Sequence, residues 1–181
     1  TTKYDHITKE KRHKVRIVAR GDITKPSADV YAPVAGTVGL RIFTMLALNF
    51  SQTRQGDVST AFLYGRLQKA IFIELPQGHR LKNGKNYVWR THCSIYGLGE
   101  AASAWHKTLH TFLEDIKFHP ITSERCLYTL RDEKGTLRMV LLLYVDDLLY
   151  CGSSADLEQF EARLQKKFKL KTTKAVDTYV G

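Results

Sequence analysis

The chain has little cysteine: three residues in 181, Cys93, Cys126 and Cys151. They are far apart, odd in number and form no Cys-x-x-Cys pair. That argues against a disulfide framework or a zinc site, and for reduced, buried thiols in a reducing compartment. Long apolar runs are also missing. The longest, Met139 to Val145, has the length of a strand and ends against acids, too short to span a bilayer. Residues 1 to 12 are polar and basic, without the apolar stretch of a secretory leader. Internal repeats and low-complexity segments are not found. Acid is scarce relative to base, 18 Asp and Glu against 28 Lys and Arg, for a net charge of +10 and a pI near 9.6. The expectation is a soluble, non-secreted chain with no membrane partner.

An apolar fraction of 43% and a charged fraction of 25% suit one sizeable core, or one domain with a smaller lobe. The bases gather at the two ends. Lys9, Lys11, Arg12, Lys14, Arg16 and Arg20 crowd the start, and Arg163, Lys166, Lys167, Lys169, Lys171 and Lys174 the finish. A polyanion is the natural partner, because each base that meets a phosphate releases a counterion. Many basic domains bind nothing anionic, so composition alone does not decide the matter.

The patterning alternates strands and helices. His13 to Ala19 alternates basic and apolar residues and predicts a strand. Gly21 to Ser27 reads as a loop, and Pro33 ends an extended piece. Thr37 to Phe50 predicts a helix with Thr37 as N-cap, apolar on most of its circumference and therefore buried. Arg54 to Leu63 predicts a strand holding Asp57. Ile71 to Leu75 and Tyr87 to Arg90 predict short strands around a turn at Lys82 to Asn86. Glu100 to Phe118 carries Ala102, Trp105, Leu109, Phe112 and Ile116 at helical spacing. Cys126 to Leu130 and Arg138 to Val145 predict strands joined by a turn at Asp132 to Gly135, and Leu148 to Cys151 a further strand. A last helix begins at Ser153 or Ser154, with Leu157, Phe160, Leu164 and Phe168 on one face. Its acids near the start and lysines near the end suit the helix dipole. The order predicts an α+β fold built on a split βαβ sheet with helices on one face.

Chemistry concentrates in Leu141-Leu-Leu-Tyr-Val-Asp-Asp-Leu-Leu-Tyr150. An Asp-Asp pair is ordinarily a solvated hairpin turn. Here both flanks are apolar enough to be buried, so the two carboxylates repel and lose solvent together. A divalent cation relieves both costs, and Mg²⁺ favours such oxygen ligands. Asp57 is the candidate third acid. It follows Gly56, which permits close backbone approach, in Gln55-Gly-Asp-Val-Ser-Thr-Ala-Phe62. Spacing alone does not prove that the three converge.

Several segments, in order along nearly the whole chain, carry a family resemblance. Tyr144-Val-Asp-Asp147 resembles the YxDD box of reverse transcriptases. Lys14-Val-Arg-Ile-Val-Ala-Arg-Gly21, Tyr31-Ala-Pro-Val-Ala35, Asp57-Val-Ser-Thr-Ala-Phe-Leu63, Leu75-Pro-Gln-Gly78, Ile95-Tyr-Gly-Leu98 with Ala104-Trp105, and Leu142-Leu-Tyr-Val-Asp-Asp147 resemble the boxes of Copia-type LTR retrotransposon polymerases. The resemblance implies a right-hand polymerase fold. Residues 1–181 would form fingers and an antiparallel, ferredoxin-like palm, without a thumb or RNase H.

It also implies roles. Asp57, Asp146 and Asp147, with the carbonyl of Val58, would hold two Mg²⁺ ions, Mn²⁺ being the substitute. Lys14, Arg16 and Arg20 would meet the triphosphate. Phe62 would crowd the sugar 2′ position, and Tyr144 would lie near the primer end. Glu100 stands where the family box has Gln, which would bring negative charge to the nucleotide; Gly99, Ala102 and Ser103 also depart from that box. The implied partners are an RNA or DNA template with its primer, dNTPs, and the rest of a polyprotein including thumb, RNase H and integrase. The implied location is a cytoplasmic particle, with products passing to the nucleus. The leading expectation is templated DNA synthesis. A decayed or domesticated nucleic-acid-binding module of the same fold is the second reading, and a metal-dependent nuclease the third.

Overall fold

The computed structural model describes residues 2–4, 11–13, 15–23, 30–75 and 87–173. Lys14, the stretch beyond Leu75, the predicted turn at Lys82 to Asn86 and the last eight residues lie outside them.

The elements are β1 (Thr2–Tyr4), β2 (Lys11–His13), α1 (Thr37–Ala47), β3 (Gln52–Val58), β4 (Arg66–Glu74), β5 (Val88–Cys93), α2 (Ala101–Asp115), β6 (Phe118–Ile121), β7 (Glu124–Arg131), β8 (Leu137–Tyr144), β9 (Asp147–Gly152), α3 (Ser154–Lys167) and β10 (Leu170–Thr173). The main sheet has six strands in the order β10-β3-β9-β8-β7-β6, and each neighbouring pair is antiparallel. Strand β9 is therefore inserted between β3 and β8, and α3 returns the chain to the far side of β3. This is the split arrangement that the sequence predicts. Strands β4 and β5 form a separate hairpin, as do β1 and β2.

Alternation along β8 assigns the two faces. Met139, Leu141 and Leu143 pack with Trp105, Leu109, Phe112 and Leu113 of α2 and with Leu157, Phe160 and Leu164 of α3. Val140 and Leu142 turn the other way, with Leu127, Leu149 and Cys151, and meet Phe43 of α1. The expectation of helices on one face is corrected: α1 lies opposite α2 and α3. Strands buried on both sides read as continuous apolar runs, so their sequence does not say which helix lies where.

Four further expectations are corrected. Helix α1 is capped by Gly36, with Thr37 as its first helical residue and no side-chain cap bond. It is also only half covered. Phe43 is buried, but Met45 is 70% exposed and Leu48, just past its end, 84%. Residues 15 to 20 form no strand. Val15, Ile17 and Val18 are exposed, and the Ala19 N–H donates to the Tyr96 carbonyl at 2.8 Å. The strand at Asp57 begins earlier and ends at Val58, followed by a 3-10 turn at Ala61–Tyr64. Two edge strands, β6 with its Pro120 and β10, have no clear alternation and are absent from the sequence reading.

Helix α3 forms as expected. Ser153 is its N-cap, with a side chain that accepts from the Asp156 N–H at 3.2 Å, and Lys166 and Lys167 stand in its last turn.

Candidate active site

Strand register sets the acids. Asp57 of β3 lies directly opposite Asp147 of β9, and Asp147 lies opposite Tyr144 of β8. Opposed residues in an antiparallel pair share a face. By alternation from Leu149 and Cys151, that face is the one α1 partly covers, away from α2 and α3. Lys171 of β10 is opposed to Asp57 from the other side. Asp146 sits in the two-residue turn between β8 and β9, and its backbone carbonyl accepts from the Val58 N–H at 3.0 Å. Gly56 is small for a packing reason. A Cβ there would come to 3.0 Å from Leu170 Cδ1.

The Asp147 carboxyl is held above the ordinary range, first by burial and then by the charges of Asp146 and Asp57. The three acids therefore sense one another. Among the described residues, no group of three or more His, Cys, Asp or Glu side chains is arranged as a ready-made metal cluster. The donors are hard oxygens, two facing one another and a third at the adjoining turn, a set chemically suited to Mg²⁺.

The turn is strained. Val145 has a φ of +55°, and Thr60, just after the Asp57 segment, has a φ of +57°. A β-branched residue in the left-handed region costs on the order of 1–2 kcal/mol. Two hydrogen bonds brace the first turn. One is the Val58 bond to Asp146. The other comes from Trp105, whose indole N–H donates to the Val145 carbonyl at 2.7 Å. Trp105 is 1% exposed, its ring set edge-on to Phe168 and tilted against Tyr64.

The other sequence-selected residues divide. Phe62 is half-buried in the 3-10 turn, its backbone carbonyl accepting from the buried Ser94 hydroxyl. Its ring meets Tyr96 edge-on at 4.9 Å, and the Arg16 guanidinium lies 5.6 Å from the centre of that Tyr96 ring. Tyr96 completes this row. Its phenol is raised by burial first, then by Asp146, while Arg16 opposes the shift and Asp57 adds to it. Sequence reasoning quoted Tyr96 only as part of the Ile-Tyr-Gly-Leu box, and assigned no role to Ser94 or to the Trp105 indole. The box itself was the available signal.

Arg20 is exposed and paired with Asp22 at 2.8 Å. Glu100 is the N-cap of α2 and lines a cleft of about 570 Å³ with Tyr64, Arg66, Lys107, Lys167 and Phe168. That flank of α2 differs from the one carrying Trp105. Lys14 lies outside the described residues.

The fold is thus an antiparallel α+β sheet with Asp57 and Asp147 on paired strands and Asp146 in the turn between β8 and β9. A family model described as reverse transcriptase (RNA-dependent DNA polymerase) matches residues 1–181, and the chain belongs to that family. It is 32% identical over 174 residues to the retrovirus-related Pol polyprotein from transposon TNT 1-94 of Nicotiana tabacum, covering 93% of this chain and 13% of the relative. It is 31% identical over 186 residues to the Pol polyprotein from transposon RE1 of Arabidopsis thaliana, covering 100% and 13%. The Transposon Ty1-H Gag-Pol polyprotein of Saccharomyces cerevisiae is 30% identical over 144 residues, covering 76% and 7%. The relatives are Pol polyproteins of Copia-type plant transposons and of yeast Ty transposons, and the chain spans a small part of their length.

Proposed function

We propose that this chain is the fingers and palm of a retrotransposon polymerase, adding dNTPs to a primer 3′-hydroxyl under the direction of an RNA or DNA template. The observation that carries the reading is the opposition of Asp57 and Asp147 across β3 and β9, with Asp146 at the adjoining turn. Asp57, Asp146 and Asp147, with the Val58 carbonyl, are the groups that would hold two Mg²⁺ ions. When bound, such ions lower the pKa of the attacking hydroxyl and offset charge on the leaving pyrophosphate.

The chain's own residues supply position. The β3–β9 register sets the Asp57 and Asp147 carboxylates on one face of the sheet. The row Arg16, Tyr96 and Phe62 lies beside them. Arg16, joined by Lys14 and Arg20 where the triphosphate reaches them, supplies positive charge to the nucleotide. The Phe62 ring, held through Ser94, is the wall that a 2′-hydroxyl would strike. Tyr144, opposed to Asp147, would meet the primer end. The exposed basic residues supply salt-sensitive contacts to the nucleic-acid backbone.

Templated primer extension tests this reading. The full chain should incorporate dNTPs with Mg²⁺ or Mn²⁺, and Asp146→Asn should lower incorporation by at least about a thousandfold. Salt-sensitive binding without incorporation would replace this reading with a binding module that has kept the fold. Cleavage without templated synthesis would favour a nuclease.

A further inference from the structure

The structure assigns Trp105 a positioning role: we infer that its indole N–H holds the strained Val145 turn in the one conformation that presents Asp146 and Asp147 together to a metal. This rests on the proposed carboxylate site and adds a residue that touches neither substrate nor ion.

Four observations carry it. Val145 is β-branched and has a φ of +55°, so the turn does not favour this conformation on its own. Its carbonyl receives the indole N–H at 2.7 Å. The indole cannot easily turn away. Trp105 is 1% exposed, stands 5.3 Å edge-on from Phe168 and 6.2 Å from Tyr64, and Tyr64 is itself anchored by accepting from the Lys169 N–H at 2.9 Å. The second brace runs from the Val58 N–H to the Asp146 carbonyl, so α2 holds one residue of the turn and β3 the next.

A flip of the Val145–Asp146 peptide would turn the Val145 carbonyl away and leave the indole N–H buried without a partner, a costly state. The turn is thereby locked by a group on the opposite side of the sheet from the acids.

The test replaces the N–H and little else. In the full chain, position 105 is changed to β-(3-benzothienyl)alanine, in which sulfur replaces the indole N–H at nearly constant volume, and separately by Trp105→Phe. Each change is also made on Val145→Gly, because glycine adopts positive φ without strain. Three readouts are taken: Mn²⁺ affinity by electron paramagnetic resonance without nucleic acid, kcat and KM for dNTP, and melting temperature.

With Val145 present, the sulfur analogue should weaken Mn²⁺ binding and lower kcat by about tenfold, the size of one lost hydrogen bond, while KM holds and the melting temperature falls by only about a few degrees. In the Val145→Gly background, the same change should cost less than about twofold. Equal losses in both backgrounds, or unchanged Mn²⁺ affinity and kcat, overturn the inference. Coupling seen in Mn²⁺ affinity in a chain that incorporates no dNTP refutes the polymerase reading and keeps the lock. Incorporation without coupling does the reverse.

Discussion

The Asp147 carboxyl has a raised pKa because burial opposes its charge first, and Asp146 and Asp57 add to the effect. A carboxyl with a folded pKa above its unfolded value binds more protons in the native state across that window. Its ionisation therefore lowers stability as pH rises through the folded pKa. Asp147→Asn removes that charge. In a chelating buffer at pH 7 the variant should melt above the wild type, and with Mg²⁺ restored it should lose incorporation; the melting gap should close below about pH 4, where the wild-type carboxyl is protonated in both states. Thermal melts across pH check this, and a variant less stable than wild type at pH 7 would contradict it. The identity of the three acids was readable from composition and boxes. That Asp57 faces Asp147 was not, because register is a long-range property. Glu100 likewise has neighbours that its box does not disclose: it lines a cleft with Arg66, Lys107 and Lys167.

Elements with one periodic face were legible, and those governed by partners were not. Helices α2 and α3 formed where the apolar spacing put them, because each has one buried stripe. Helix α1 looked apolar all round and is covered on one side. Strand β3 hides a network no pattern discloses. Arg54, 7% exposed, gives Nη1 to Glu161 of α3 at 3.0 Å and Nη2 to Gln52 at 3.0 Å, and the Tyr150 hydroxyl of β9 donates to Glu161 at 2.9 Å. This ties β3, β9 and α3 behind the acids. Arg54→Met strands the Glu161 charge and should cost about 3–5 kcal/mol in urea unfolding. Adding Glu161→Leu should recover most of that loss. A single change costing under about 1 kcal/mol, as exposed pairs do, would show the pair to be solvated.

At the scale of the whole molecule, the thiols report how the chain opens. Burial pushes Cys126 up to about 11 and Cys151 up to about 12, so neither forms thiolate at neutral pH. Cys93 is exposed on the β4–β5 hairpin. A thiol reagent at pH 8 should label Cys93 promptly and the other two only at the rate of unfolding, read by mass spectrometry. Prompt labelling of Cys151 would mean that β9 opens locally. The reading of the cysteines as reduced and buried thus holds for two of the three. Met45 and Leu48, in a stretch whose sequence predicts a buried helix, are exposed. A pattern records that a residue is apolar, but what covers it is settled by neighbours.

The crossing at Gly97 carries a consequence for inheritance. Its φ is +91°, and a Cβ there would overlap the Ala19 carbonyl oxygen; one on Gly21 would overlap the Gly97 carbonyl oxygen. Two distant stretches of chain thus pass with backbone against backbone. A drifting copy of this element could exchange many of its surface residues and remain foldable, but any side chain at this crossing would wedge the segment carrying Arg16 away from Tyr96. Among degenerate copies, a change at Gly97 would mark loss of the Arg16, Tyr96 and Phe62 row while the three acids still read as intact.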